Sequence, residues 1–221
     1  MWRLFQYPLC PFSRKVRFAC AVKAVPVELV LEHPWERRDG FGALNPAMQT
    51  PVLQKGDITL VDSAAICDYL EETVDRVPLL GSGPEDRAEA RRLIAWFDQK
   101  FYAEVTAPLL GERMYKRLYS RQAPDAGIVR TAGRNAETHL DYLDFLLDRR
   151  NWLSGPVFGL ADIAAAGQIS VADYLRGVDW DGHEPARTWY SALKSRPTFR
   201  PLLAERMEGL PPPPHYDKLD F

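Results

Sequence analysis

The sequence predicts a chain in two parts, a mixed-sheet α/β unit followed by an all-α unit. Three observations predict it: the order β-α-β-α-β-β-α within roughly the first 75 residues, a proline- and glycine-rich junction at Val77–Pro84, and long helical periods with almost no strand signal beyond it. The expected boundaries are 1–77 for the α/β unit, 78–84 for the linker, 85–208 for the helical unit and 209–221 for a proline-rich tail.

Residues 2–7 form a short strand-like run, and residues 12–24 repeat apolar positions in threes and fours through Val16, Ala19 and Cys20, the pattern of a helix face. Val27 to Glu32 reads as a second strand, and Pro34 to Asn45 as loop or irregular helix. Pro51–Gln54 and Ile58–Val61 are two short strands around the turn signal Lys55-Gly56-Asp57, followed by a helix from Ser63 to about Thr73. In the second part, Glu85 to about Tyr119 carries Ala90, Leu93, Ile94, Phe97, Phe101 and Val105 at helical spacing, with Pro108 expected to kink it. Ile128–Asp148, Leu160–Arg176 and Pro185–Lys194 are further helices, and the remaining aromatics, Phe145 among them, are expected in the core. Four prolines, Pro211 to Pro214, then favour an extended segment that no helix can continue.

At 221 residues and 46% hydrophobic, the chain can bury one large core or two modest ones. A formal charge of −2 gives no global attraction to nucleic acid or to an anionic membrane, so an electrostatic partner must meet a local patch. No apolar stretch approaches the roughly 20 residues that span a bilayer, and Met1 to Cys10 lacks the basic start and long apolar middle of a signal peptide, so a cytoplasmic protein without membrane insertion is expected. Three cysteines without paired spacing suit a reducing compartment rather than a disulfide framework. Four scattered histidines give no metal-ligand spacing, and no metal is expected.

Chemistry concentrates at Cys10-Pro11-Phe12-Ser13, between the first strand and the first helix. A cysteine at a helix N-terminus faces unpaired N–H groups and the positive end of the dipole, which favour a thiolate, its own or a ligand's. Ser13 stands where a hydroxyl could support that sulfur, and there is no second local thiol to resolve a mixed disulfide. Thr50-Pro51-Val52 opens the third strand, where a cis bond would free the backbone of Val52 for an extended peptide ligand. Asp62-Ser63 opens the next helix, with Ser63 either a plain N-cap or a hydroxyl for a ligand carboxylate.

Together these elements resemble the glutathione-binding domain of the glutathione transferase superfamily, a thioredoxin-like fold followed by an all-helical domain. The resemblance implies a catalytic role for Cys10 with possible support from Ser13, and glutathione contacts at Thr50, Pro51, Val52, Asp62 and Ser63. Gly159-Leu160-Ala161-Asp162-Ile163 resembles the family's capping box in the helical domain, with Gly159 where Ser or Thr is usual. Three departures bear on catalysis: Met48 stands where the family has Gly, Gln49 replaces a basic residue, which should weaken a ligand with two carboxylates, and Asp62 is one methylene shorter than the usual Glu. No cofactor is expected to be required, with glutathione a ligand or cosubstrate.

A narrower resemblance covers Pro34–Arg38, Trp96–Phe101, Thr106–Leu110, Glu112–Arg117, Asp173–Leu175, Asp179-Trp180, Trp189-Tyr190, Lys194–Pro197 and the ending His215-Tyr216 with Leu219–Phe221. These segments are similar to an alphaproteobacterial branch of the superfamily that acts in cell division. That resemblance implies a homodimer that binds filaments of the tubulin homologue FtsZ without needing catalysis. The residues agree in part. Arg113, Lys116, Arg117 and Arg121 share one helical face, either a positive stripe for an acidic partner or an ordinary solvated face. Trp35 is either an exposed anchor or a packed loop residue. The tail residues His215, Tyr216, Asp217, Leu219, Asp220 and Phe221 either fold back on the helical unit or dock on a partner. The alternatives in function are a glutathione-dependent transferase or thiol-transferase using Cys10, and a carrier of apolar ligands that nothing in the sequence favours.

Overall fold

The computed structural model describes residues 1–220, so Phe221, counted above among the partner-binding residues, lies outside the described residues. The chain divides into two compact units, Met1–Pro78 and Leu79–Phe221.

In the first unit β1 (Trp2–Gln6), β2 (Val27–Leu31), β3 (Val52–Lys55) and β4 (Ile58–Val61) form one sheet in the order β2-β1-β3-β4. The first pair is parallel, with Trp2 opposite Val27, because the crossover helix α1 (Pro11–Val22) joins them; β3 runs antiparallel to β1, and the tight Lys55–Ile58 turn makes β4 antiparallel to β3. Residues 34–45 resolve into a 3₁₀ turn (Pro34–Glu36) and a short helix α2 (Asp39–Leu44). α1 and α3 (Ser63–Thr73) pack on each other, and Leu4, Val16, Phe18, Val52, Leu53, Ile66 and Leu70 make a fully buried core. After α3 the chain is held by Lys23, whose Nζ reaches the carbonyls of Val74 (3.0 Å) and Val77 (3.2 Å) and the carboxylate of Glu71 (2.8 Å).

The second unit opens on α4 (Pro84–Ala95), which runs on without a break through a π-helical segment (Trp96–Thr106), α5 (Ala107–Leu109) and a second π-helical segment (Leu110–Ser120). The expected kink at Pro108 is absorbed by this wider winding. Pro108 has no N–H for the carbonyl of Glu104, and the amide of Asn135 donates to that carbonyl instead, at 3.0 Å. α7 (Leu160–Tyr174), every residue of which is buried, packs on α4 and the first π-helical segment, while α6 (Ala126–Leu147) packs on that segment and on α8 (Glu184–Ser195), and α8 on α9 (Arg200–Ala204). The small residues of α7, Ala161, Ala164, Ala165, Ala166 and Gly167, admit neighbours on all sides.

Buried polar groups hold this unit in register. The Asp162 carboxylate accepts from the N–H of Gly159 (2.9 Å), the N–H of Leu153 (3.0 Å) and the indole of Trp189 (2.9 Å). Burial pushes it up to about 6 despite those donors. A side chain at Gly159 would meet the carbonyl of Leu79 at 2.7 Å, which is why the usual Ser or Thr is absent and Asp162 alone closes the box. Phe145, expected in the core, is about half exposed, its ring lying under Arg149 at 4.6 Å.

Candidate functional site

The corner identified by the sequence is built by three chain turns in the first unit. Cys10 is the N-cap of α1: its backbone is extended (φ −78°, ψ 114°), its N–H bonds back to Tyr7, and Pro11 occupies the first helical position. The half-buried sulfur accepts from the N–H of Ser13 and donates to the carbonyl of Thr50, both at 3.4 Å. The backbone of Ser13, rather than its hydroxyl, supports the sulfur. Cys20 and Cys67 are buried, and burial, with Cys67 adding, pushes the Cys20 thiol up to about 12, which leaves Cys10 as the accessible thiol.

The second turn, Asn45–Pro51, ends in a cis Thr50–Pro51 bond. The Asn45 side chain fixes it by donating to the carbonyl of Gln49 (2.8 Å) and accepting from Ala47 (3.1 Å). Met48 adopts φ +53°, the left-handed region that favours glycine, and its side chain packs on the cluster of Phe5, Phe41 and Val52. The third turn places Asp62 at φ +71° as the N-cap of α3, its carboxylate accepting from Ala64 (2.7 Å) and Ala65 (3.3 Å). Ser63 is therefore the first helical residue and not the cap.

These turns enclose a cleft of about 200 Å³ lined by Phe12, Gln49, Thr50, Pro51, Asp62 and Ser63, with no Lys, Arg or His along its wall. Val52 does not line it. β3 is an interior strand in which Val52 stands opposite Phe5 on one side and Val61 on the other, and Thr50, before the proline, is the residue that lines the cleft. The corner offers a sulfur, a helix N-terminus and an extended backbone, which suits a peptide thiol, but its only charged group is the carboxylate of Asp62.

Residues 4–78 match the model of the glutathione S-transferase N-terminal domain, and the chain as a whole is 47% identical to a glutathione S-transferase from Rhodospirillum rubrum F11, each chain covered over 100% with a TM-score of 0.97. The chain belongs to the glutathione S-transferase family. Within this family it is also similar to a protein of another description. It is 46% identical over 223 residues to FtsZ-localized protein A of Caulobacter vibrioides, spanning 99% of this chain and 97% of the relative. The structure of FzlA from C. crescentus superposes with a TM-score of 0.96 at 45% identity, covering 100% of this chain and 99% of that one.

The residues expected to meet a partner are distributed differently from the glutathione S-transferase corner. Trp35 is half-buried in the 3₁₀ turn, edge-on to Tyr7 (4.9 Å) and stacked on His33 (5.1 Å). The basic stripe is split by its own contacts. Arg113 turns inward to donate to the carbonyls of Leu175 and Arg176, and Lys116 pairs with Glu112 at 2.7 Å, while Arg117 and Arg121 stay exposed. Arg121 lies past the helix end at φ +51° and leaves the stripe.

The tail takes the first of its two alternatives and folds onto its own unit. Tyr216 is fully buried, edge-on to Tyr174 at 5.1 Å, so it is a core residue and not a partner contact. His215 Nε2 lies 2.8 Å from the buried carboxylate of Asp173, and Lys194 donates to the carbonyls of His215 (3.2 Å) and Lys218 (3.1 Å). Asp217 pairs with Arg206, and the Leu219 carbonyl accepts from Ser191 at 2.8 Å, while the side chains of Leu219 and Asp220 are exposed. Burial lowers Lys194 to about 8 against the pull of Asp173 and Asp217. Sequence reasoning missed Arg176, Tyr174 and Leu210, which the fold gathers with Arg113 and Arg117 around a second cleft. Their separation along the chain carries no motif that would have linked them.

Among the described residues no group of three or more His, Cys, Asp or Glu side chains is placed to hold a metal ion, and no helix is long and apolar enough to cross a membrane.

Proposed function

We propose that this protein binds FtsZ polymers in bacterial cell division, as a cytoplasmic homodimer with the glutathione S-transferase fold, and that catalysis at Cys10 is not its principal role. The observation that carries this reading is 46% identity over 99% of the chain to a protein named for its localisation with FtsZ. The cation-free wall of the cleft near Cys10 supports it, because both carboxylates of glutathione would meet a surface whose one charge is negative. The contact residues are assigned in each unit by itself: Trp35 in the first, and the exposed Arg117, Arg121, Leu219 and Asp220 in the second. Co-sedimentation of the full chain with GTP-assembled FtsZ polymers tests it. Binding is expected, weakened at least tenfold by Arg117→Glu with an unchanged circular dichroism spectrum, on the order of the coupling of one close charge pair. Absence of the wild-type protein from the pellet overturns the reading.

A second reading has one specific observation in its favour, the N-terminal position of Cys10 with its sulfur on the N–H of Ser13. In that reading the Cys10 thiolate attacks the sulfur of glutathione in a mixed disulfide, the other thiol leaves and takes a proton, and a second glutathione thiolate releases oxidised glutathione from Cys10. Retention on immobilised glutathione, abolished by Asp62→Ala, is the result that would favour it.

A further inference from the structure

We propose that the cleft between the end of the second π-helical segment and the end of α7 binds a small organic anion, a carboxylate or phosphate head carried on an apolar body. The cleft has a volume of about 440 Å³, within the range of small-molecule sites. Three arginines line it, Arg113, Arg117 and Arg176, with Tyr174, Leu210 and Pro211 among the apolar residues of its wall. No carboxylate among the described residues pairs with these arginines, and Arg113 donates only to backbone carbonyls at the end of α7.

The one acidic side chain in the wall, Glu112, is already engaged. Its carboxylate accepts from Lys116 at 2.7 Å and from the N–H of Asp125 at 2.6 Å, and those two bonds hold it ionised and turned to its own helix. Burial, with the neighbouring charge of Arg176 adding to it, lowers the affinity of Arg113 for its proton. Planar guanidinium forks match the two oxygens of a carboxylate or the face of a phosphate, and an apolar body would displace water from Leu210 and Pro211. The hydroxyl of Tyr174 is unavailable to the ligand, since it donates to the Leu210 carbonyl (2.7 Å) and accepts from the N–H of Met207 (2.8 Å); it shapes the cleft rather than reading the anion.

Isothermal titration of the full chain with phenylphosphate and with benzoate tests the site, with benzyl alcohol and inorganic phosphate as the controls. At least one of the two aromatic anions is expected to saturate, and the stronger of them identifies the head group. The double variant Arg117→Ala, Arg176→Asn should weaken that binding by about tenfold or more, in line with the loss of charge-assisted hydrogen bonds. Asn is chosen because residue 176 sits at φ +59°, which Asn tolerates. Arg117→Ala alone, on an exposed side chain, gives the same readout should the double variant not fold. Failure of both anions to saturate overturns the proposal. So does equal binding by benzyl alcohol or by inorganic phosphate, or unchanged affinity in the folded variant.

Discussion

The two units of this chain build their polar features by opposite means. In the first, the cleft near Cys10 is shaped by backbone: a capped helix start, a cis peptide bond, and two non-glycine residues, Met48 and Asp62, at positive φ. The shape of this corner is set by backbone while its charge is set by side chains, and none of the described residues that line it is a cation. In the second, the structure depends on buried side chains that gather partners from distant segments. Asp162 joins residues 153, 159 and 189, and Asp173 with Lys194 fastens residues 215 and 218. A backbone-built site tolerates substitution at its surface, whereas a site built from buried polar side chains transmits each loss to the whole unit.

That contrast can be broken, starting with the largest expected effect. Asp162→Ala leaves three buried donors unmet and should lower unfolding free energy by about 4 kcal/mol in urea titration of the full chain, since each unmet buried donor costs about 1–3 kcal/mol. A loss under about 1 kcal/mol would show that the helical unit does not depend on its buried carboxylates. Tyr216→Ala should follow, at about 3 kcal/mol, the usual range for emptying a buried aromatic site. A thermally unaffected variant would return the tail to the surface.

The pH dependence of Lys194 sharpens the comparison further. Its folded pKa is depressed to about 8 from 10.5, so between those values the unfolded chain still holds a proton that the folded one has released. Stability from this group therefore rises as pH rises through that window. The stability of the wild type relative to Lys194→Met should increase by about 2 kcal/mol between pH 8 and pH 10, read by denaturant titration at each pH. The smallest effect belongs to the backbone-built corner. Gln49→Lys should restore a cation to the wall and raise affinity for glutathione about tenfold in calorimetry, with stability unchanged within about 0.5 kcal/mol. A variant that gains nothing would show that the shape of the turn, not its charge, limits the ligand.

Much of the first unit was legible because its signals are local. Strand alternation, the Lys55-Gly56-Asp57 turn and the Pro51 position each act within a few residues, and the observed strands agree with the expected ones to within two residues at most of their ends. The misreadings there were of a finer kind. Asp62 and Ser63 are both good cap residues, and only the φ +71° of Asp62 decides between them. Val52 and Thr50 flank the same proline, and only the folded turn shows that Thr50 and not Val52 lines the cleft. In the second unit the helices were legible from their period, but the role of Pro108 was not. A proline in a helix reads as a kink until a neighbour such as Asn135 is found to satisfy the carbonyl it abandons. The basic stripe failed for a similar reason, since helical spacing places four cations on one face but says nothing of the carbonyls that draw Arg113 away.

By itself the sequence determined the order of elements, the point at which strands give way to helices, and the placement of a thiol at a helix start, because each of these follows from forces between residues close along the chain. Only the tertiary structure decided that Tyr216 of the tail is buried in the core of its own unit, and that arginines 113, 117 and 176 line one cleft. Burial of Tyr216 and the gathering of like charges both depend on contacts across 42 to 63 residues. No local propensity encodes such contacts; they come into being when the helices pack.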